Sequence, residues 1–565
     1  MHLEEDQIYQ GGSTPRPEPV VAKDYLARAE EKRAEQRSRI PREWVLSPVP
    51  SVESAPDALD FIRTSGLLTT EEFDITETTD IDALVGKLAT GQLSSLQVVG
   101  AFSKRTALAH QLTNCCTEIF FEEALADATR LDEHLKTTGK PVGPLHGLPV
   151  SVKDSVDVTG QDTSIGWVGL TRKPATRDAG ITAMLRRLGA VLYVKTNIPQ
   201  SLMMSDSYNH LFGQCVHPTN RNLISGGSSG GESSIVGARG SPIGVGTDIG
   251  GSIRIPASLC GIYGLSPTYA RHPYERGGLK QRIIIASAGP MASSLSSIES
   301  YMRALPEANP HELDNLVVPM PWRTELCTIQ PPGRKLRIGY ILDDGIVKPQ
   351  PPITRAVQKV VDALKAAGHE GKQVFEWDSS SQGYAYDLWK KAVMSDGGMG
   401  CKRLCDMSGE PLVEGMLVGT DADLLTTEET HKVMSDIDAY KADYLRRWND
   451  MGVDALITPV TPWVGYKPWT WVKSHQYVGY TTLSNLLDWP GLSIPVTTAT
   501  REVDGIAPAD WTSHQPRNKS DEFNKAQYDI DLVHGAPVGV QIMAGKYADE
   551  KCIAVAKVIE ELLKA

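Results

Sequence analysis

Two turns in the middle of the chain combine clustered glycines with serine hydroxyls. The first is Gly226-Gly227-Ser228-Ser229-Gly230-Gly231-Glu232. The second is Gly246-Thr247-Asp248-Ile249-Gly250-Gly251-Ser252-Ile253-Arg254-Ile255-Pro256. Glycine tolerates positive φ, so such turns can aim several backbone N–H groups at one point. A hydroxyl beside converging N–H groups is what a serine nucleophile with an oxyanion hole requires. Upstream, Leu148-Pro149-Val150-Ser151-Val152 ends on Lys153. Burial at the end of an apolar strand penalises the ammonium form and leaves a lysine able to accept a proton.

Four readings of the glycine turns compete. A phosphate cradle needs Gly-Lys-Ser/Thr or a correctly spaced Gly-x-Gly-x-x-Gly, and neither is present. A nucleophile elbow needs Gly-x-Ser-x-Gly, which occurs twice, at Ser228 and at Ser229, with His534 as a late base. That elbow follows an apolar strand, however, and here Asn220-Arg221-Asn222 lies just upstream. A flexible linker would not embed Asp248, Arg254 and Pro256 among its glycines. The fourth reading takes Lys153 as the base.

The rest of the sequence narrows the function class. Among 565 residues, 57 Lys and Arg face 69 Asp and Glu, a net charge of -12 that disfavours binding to nucleic-acid phosphates. Eight cysteines without a C-x-x-C pair, and without zinc spacing to histidine, point to free thiols in a reducing compartment and to no metal. The acidic start Met1-His2-Leu3-Glu4-Glu5-Asp6 lacks a secretory pattern, and no apolar run reaches the roughly 20 residues of a membrane span. Cytoplasmic location is the expectation. Asn518-Lys519-Ser520 then reads as a chance sequon.

The elements that must position these residues follow from periodicity. Residues 1–21 are polar and proline-rich and are expected to be mobile. Residues 22–39, rich in Ala, Glu, Lys and Arg, predict a solvated helix with little apolar face. Residues 57–140 read as helical, with Ser and Thr caps. From 141 to 300, strand candidates at 148–152 and 190–194 alternate with a helix over 181–188. Further strands are expected at 336–341, 455–460, 492–496 and 537–542, and a helix at 354–367. Residues 502–532 read as a polar surface excursion. Strands alternating with helices predict an α/β core with a partly parallel sheet.

Lys153, the turn Gly226–Gly231 and the run Asp248–Pro256 together resemble the amidase signature family of serine hydrolases. Ser228 and Ser252 lie 24 residues apart and Lys153 lies 75 before Ser228, intervals similar to those of the fatty-acid amide hydrolase branch. Lys195-Thr196-Asn197-Ile198-Pro199-Gln200, Asn209 through Gly213 and His534-Gly535-Ala536-Pro537 fit as well. Ile40-Pro41-Arg42-Glu43-Trp44, Gln111-Leu112-Thr113-Asn114-Cys115 and Pro319-Met320-Pro321-Trp322 resemble fungal acetamidase-type members. Asp206, where many bacterial members carry Glu, sides with the eukaryotic-type branch.

The resemblance implies a fold and a set of roles. The fold is a large mixed β-sheet flanked by helices, α/β/α, with an N-terminal helical arm at 1–56 and one catalytic domain at 57–565. Ser252 is the implied nucleophile. Ser228, joined to Gly227 by a cis peptide in the family, bridges it to Lys153. Backbone N–H groups of Ile249, Gly250, Gly251 and Ser252 would hold the oxyanion. Leu202 falls in a stretch that lines the acyl pocket of relatives, and Asp248 and Arg254 would brace the loop. The expected activity is cleavage of a small linear amide to an acid and ammonia or an amine, without cofactor or metal. Esters or carbamates could be cut by the same groups, and an amidotransferase subunit passing ammonia to a partner is a further alternative. No nucleic-acid partner is expected; the sequence does not fix the oligomer, and since relatives often dimerise a homodimer is one of the states left open.

Overall fold

The computed structural model describes residues 24–274, 281–331, 333–369, 373–473 and 476–564. The stretch 1–21, expected to be mobile, lies outside them. Thirteen strands form two sheets among the described residues. They are β1 (Cys116–Ile119), β2 (Pro149–Lys153), β3 (Val191–Thr196), β4 (Tyr208–Asn209), β5 (Gly213–Gln214), β6 (Ile243–Asp248) and β7 (Tyr263–Ser266). After these come β8 (Ser287–Ala292), β9 (Ile338–Tyr340), β10 (Val374–Glu376), β11 (Ala455–Pro459), β12 (Gly491–Thr498) and β13 (Pro537–Met543).

Eleven strands make one mixed sheet in the order β1-β3-β2-β6-β8-β7-β12-β13-β11-β9-β10, and β4 pairs with β5. The pairs β3–β2, β2–β6, β11–β9 and β9–β10 are parallel, and the others antiparallel. Both faces are covered. Alternate residues of a strand point to opposite faces, and on β11 Ala455 and Ile457 enter one apolar cluster while Leu456 enters another. The first cluster includes Val150, Val152 and Ile559, and the second holds Trp377, Trp389 and Tyr444. Helices start where capping residues stand. Ser94 accepts from Gln97 N–H and Gln97 bonds back, opening the helix Ser95–Thr113.

β1 falls inside the stretch expected to be wholly helical. In the expected polar excursion, Asn518 caps the helix Lys519–Ala526 through Ser520 and Asp521 N–H, so the sequon residue has a local structural use.

The N-terminal helix Tyr25–Ser38 departs from the solvated arm that its composition predicts. Ala29, Lys32 and Gln36 are buried. Ala29 and Tyr25 pack against Val168, Leu211 and Phe212, but most of the docked face holds on through polar groups, to which periodicity is blind. Lys32 Nζ lies 2.9 Å from Glu118 and 3.0 Å from Asp162. Gln36 Nε2 donates to the carbonyls of Cys116 and Thr117, and Arg28 to that of Val168.

Candidate active site

β2 delivers Lys153 to the interior, where it is fully buried. Its Nζ donates to Ser228 Oγ at 2.7 Å and to Thr247 Oγ1 at 3.0 Å, with Thr247 O at 3.3 Å. Burial pulls the amine down to about 7, against the opposing pull of the Asp248 and Glu232 carboxyls. Asp154, next along the strand, turns away. It accepts from Thr117 Oγ1, Ser164 Oγ and Ile165 N–H.

Ser228 follows a cis peptide bond from Gly227. Ser229 has a structural position. Its N–H bonds Ser252 O and its Oγ meets Thr247 N–H, ahead of the helix Gly230–Gly237. The turn is pressed onto its surroundings: a Cβ on Gly231 would lie 2.2 Å from Asn197 N and 2.5 Å from Cys115 O. Glu232 is buried behind the turn and accepts from Ser151 and Thr196 hydroxyls at 2.6 and 2.8 Å. Burial pushes its carboxyl up to about 8.

The second turn leaves β6. Asp248 and Arg254 form a fully buried ion pair at 2.9 Å. Burial would raise the Asp248 carboxyl, but the Arg254 charge together with the hydrogen bonds from Arg254, Asn485 and Ile253 N–H outweighs it and holds the group below its ordinary range. Asp248 Oδ1 also takes the N–H of Gly251 at 2.8 Å, and Oδ2 that of Ile253 at 3.1 Å. Gly251, at φ 120°, is therefore committed to Asp248, and its N–H is not the free oxyanion donor expected of it. The N–H groups of Ile249, Gly250 and Ser252 have no acceptor among the described residues. The carbonyls of the same loop are pinned from outside. Trp389 Nε1 donates to Ile249 O at 2.9 Å and Thr481 Oγ1 to Gly250 O at 2.6 Å.

Ser228 and Ser252 both line a pocket of about 950 Å³, together with Leu202, Met203, Ile249 and Leu417. Its wall is mostly apolar, with Ser201 and Asp396 among its polar members. Ser201 and Leu202 both have positive φ, at 60° and 66°. A second cleft of about 290 Å³ also reaches Ser252, along Gly250 and Trp389. His534, the late base that an elbow reading would need, is exposed, accepts from Arg501 N–H and lines neither space. Cys260 is packed against Ser225 O and Ser233 Oγ, and burial pushes its thiol up to about 12. Away from the pocket, His110, Cys115 and Cys116 meet in the core although their sequence spacing is not a zinc pattern. Thr247, Trp389 and Thr481 were not singled out from sequence. Thr247 sits within the motif and could have been, but Trp389 and Thr481 come from far along the chain.

A buried amine at the edge of neutrality, two hydroxyls and a cluster of unused N–H groups can together move a proton, form an ester and hold an oxyanion. A family model described as Amidase matches residues 97–553. The chain is 37% identical over 549 residues to an acetamidase of Emericella nidulans, covering 95% of this chain and 97% of that one. It is 36% identical to an acetamidase of Aspergillus oryzae, covering 95% and 98%. A solved structure titled fatty acid amide hydrolase superposes with a TM-score of 0.89 at 35% identity, covering 96% of both chains.

Proposed function

The chain belongs to the amidase family of amide hydrolases, and from that premise we propose that it cleaves linear carboxylic amides through an acyl ester on Ser252. Ser252 Oγ attacks the amide carbonyl and passes its proton to Ser228, whose own proton goes to neutral Lys153. The oxyanion accepts from Ile249, Gly250 and Ser252 N–H, three donors with Gly251 left to Asp248. The Lys153 ammonium returns its proton through Ser228 to the departing nitrogen, and the C–N bond breaks. Water then yields a proton along the same path, its oxygen attacks the ester, and Ser252 leaves with the proton restored. Every proton has a carrier in the chain, so the scheme calls for no cofactor.

The observation that carries this reading is the 2.7 Å contact of a buried, weakly basic Lys153 with Ser228. Two relatives are named acetamidases. The largely apolar wall of the pocket, with Ile165, Leu202, Met203 and Leu417, favours apolar acyl groups. The cysteines, all free, fit a reducing cytoplasm. No helix among the described residues is long and apolar enough to cross a membrane.

A fluorophosphonate should label Ser252, and a panel of amides read by mass detection should yield matched acid and amine. An adduct mapped to Ser228 or Ser229 would overturn the assignment of the nucleophile. Faster turnover of matched esters with no amide turnover would replace amidase by esterase.

A further inference from the structure

None of the residues of the helix Tyr25–Ser38 lines the pocket. The helix is nevertheless fastened to β1 and to the segment after Asp162, of which the latter carries a pocket residue, Ile165. Lys32, 6% exposed, reaches Glu118 on β1 and Asp162 beyond β2. Asp162 is a staple in its own right. Its carboxylate accepts from the N–H groups of Arg172 and Lys173 at 2.8 Å, and its carbonyl from Lys195 Nζ at 2.6 Å. The segment closed by this staple carries Ile165, which lines the pocket. It also carries Trp167, whose Nε1 donates at 2.8 Å to Ser201, another pocket residue.

The same segment is tied to β1 by a second route. Asp154 takes Ile165 N–H at 2.7 Å with one oxygen and Thr117 Oγ1 at 2.8 Å with the other. Gln36 holds the β1 backbone on either side of Thr117 N, through the Cys116 and Thr117 carbonyls. β1 is the edge strand of the sheet. Without the helix its outer side would face solvent, and Glu118 and Asp162 would be left as two close acids without the cation between them. Burial already pushes the Glu118 carboxyl up to about 7.

We propose that Lys32 and Gln36 are positioning residues for the pocket: the N-terminal helix locks the 162–173 wall to β1 and so sets the seat of the acyl group beside Ile165 and Ser201. This rests on the amidohydrolase reading and adds to it a determinant of which acyl groups are accepted. Lys153 owes its low basicity to burial, with Asp248 and Glu232 opposing, and none of these groups touches the arm. The effect therefore falls on substrate fit and spares the base.

The test uses the full chain carrying Lys32→Met, Gln36→Leu or Lys32→Arg, with Arg37→Ala as a control in the exposed part of the helix. For Lys32→Met and Gln36→Leu, KM for an amide with a bulky apolar acyl group should rise on the order of tenfold, the scale of a misplaced binding wall. KM for acetamide and the midpoint of the acid limb should stay put. Lys32→Arg should restore much of the loss, and Arg37→Ala should change nothing. Hydrogen exchange at residues 163–172 should quicken in the two damaging variants, a readout that holds even if no amide is turned over. Unchanged exchange there, or an equal rise in KM for both substrates, would overturn the proposal. If Lys32→Met does not fold, the same readings on Gln36→Leu decide it. Loss of amide turnover in the unaltered chain would instead overturn the functional reading and leave the exchange test standing.

Discussion

Burial makes the charge on Lys153 costly and pulls the amine down to about 7. Three acceptors surround Nζ, but the two carboxyls that could compensate an ammonium are occupied. Asp248 is paired with Arg254, and Glu232 is held by two hydroxyls and pushed up to about 8. The sign of the pH dependence follows. In the proposed scheme the neutral amine is the working form, so activity should rise with pH through a limb centred near 7. Lys153→Ala should remove that limb and lower kcat by on the order of 10²–10⁴, more for amides than for matched esters, because only the poor leaving group needs the returned proton. A pH–rate profile of the variant on both substrates checks this. Glu232 gives a contrasting case. Its carboxyl, pushed up to about 8 by burial, is one of the two that oppose the downward pull on Lys153, so Glu232→Gln should move the acid limb to lower pH and cost less than about tenfold in kcat at pH 7, far below the loss at Lys153.

At the scale of elements, the oxyanion loop shows how orientation is built. A peptide whose carbonyl is held on one side presents its N–H on the other. Trp389 holds the Ile249 carbonyl and so orients the Gly250 N–H, one of the three proposed donors, while Thr481 holds the Gly250 carbonyl and so orients the Gly251 N–H that Asp248 takes. Trp389→Phe keeps a ring but loses the donor. We expect kcat to fall on the order of tenfold with little change in KM, less than the roughly 10²-fold of deleting an oxyanion donor itself. Steady-state kinetics on a single amide decides it. The same elements show what was legible from sequence. β2, β3, β11, β12 and β13 are apolar or β-branched runs and were readable. β1, four residues between two long helices, was not. β6 and β8, Ile-Gly-Val-Gly-Thr-Asp and Ser-Ala-Gly-Pro-Met-Ala, are central strands whose glycines and alanines mask the strand pattern. Their small residues make room for neighbours: a Cβ on Gly244 of β6 would fall 1.9 Å from Glu232. Lys153, Ser228 and Ser252 stood out because their motifs are local runs. Trp389 and Thr481 did not, because a single indole or hydroxyl 140 or 231 residues away has no local signature.

At the scale of the molecule, the brace around Arg254 joins distant parts of the chain. Its guanidinium reaches Asp248 on one side and, on the other, Thr481 O, Ser484 Oγ, Asn485 Oδ1 and Gln541 Oε1. Removing one member of a fully buried ion pair leaves the other unpaired, at a cost of about 3–5 kcal/mol. Arg254→Met should therefore lower the denaturation midpoint by that equivalent and abolish turnover together, whereas Lys153→Ala should lower kcat by on the order of 10²–10⁴ and keep the midpoint near that of the parent. Equilibrium unfolding of the two variants side by side separates a brace from a chemical group.

The partners of Arg254 also fix when the enzyme can first work. Motif residues 153, 228 and 252 are all synthesised in the first half of the chain, yet the groups that hold the nucleophile's loop arrive with residues 481–485 and with Gln541 on β13. A growing chain that has made its whole signature still lacks the far half of the clamp. On the proposed mechanism the nascent enzyme should stay silent until its last strand docks, and an N-terminal fragment ending before residue 480 should carry every signature residue and hydrolyse nothing. Supplying the missing half as a separate polypeptide should switch hydrolysis on only as the two pieces associate, which would make this hydrolase a reporter of its own completion.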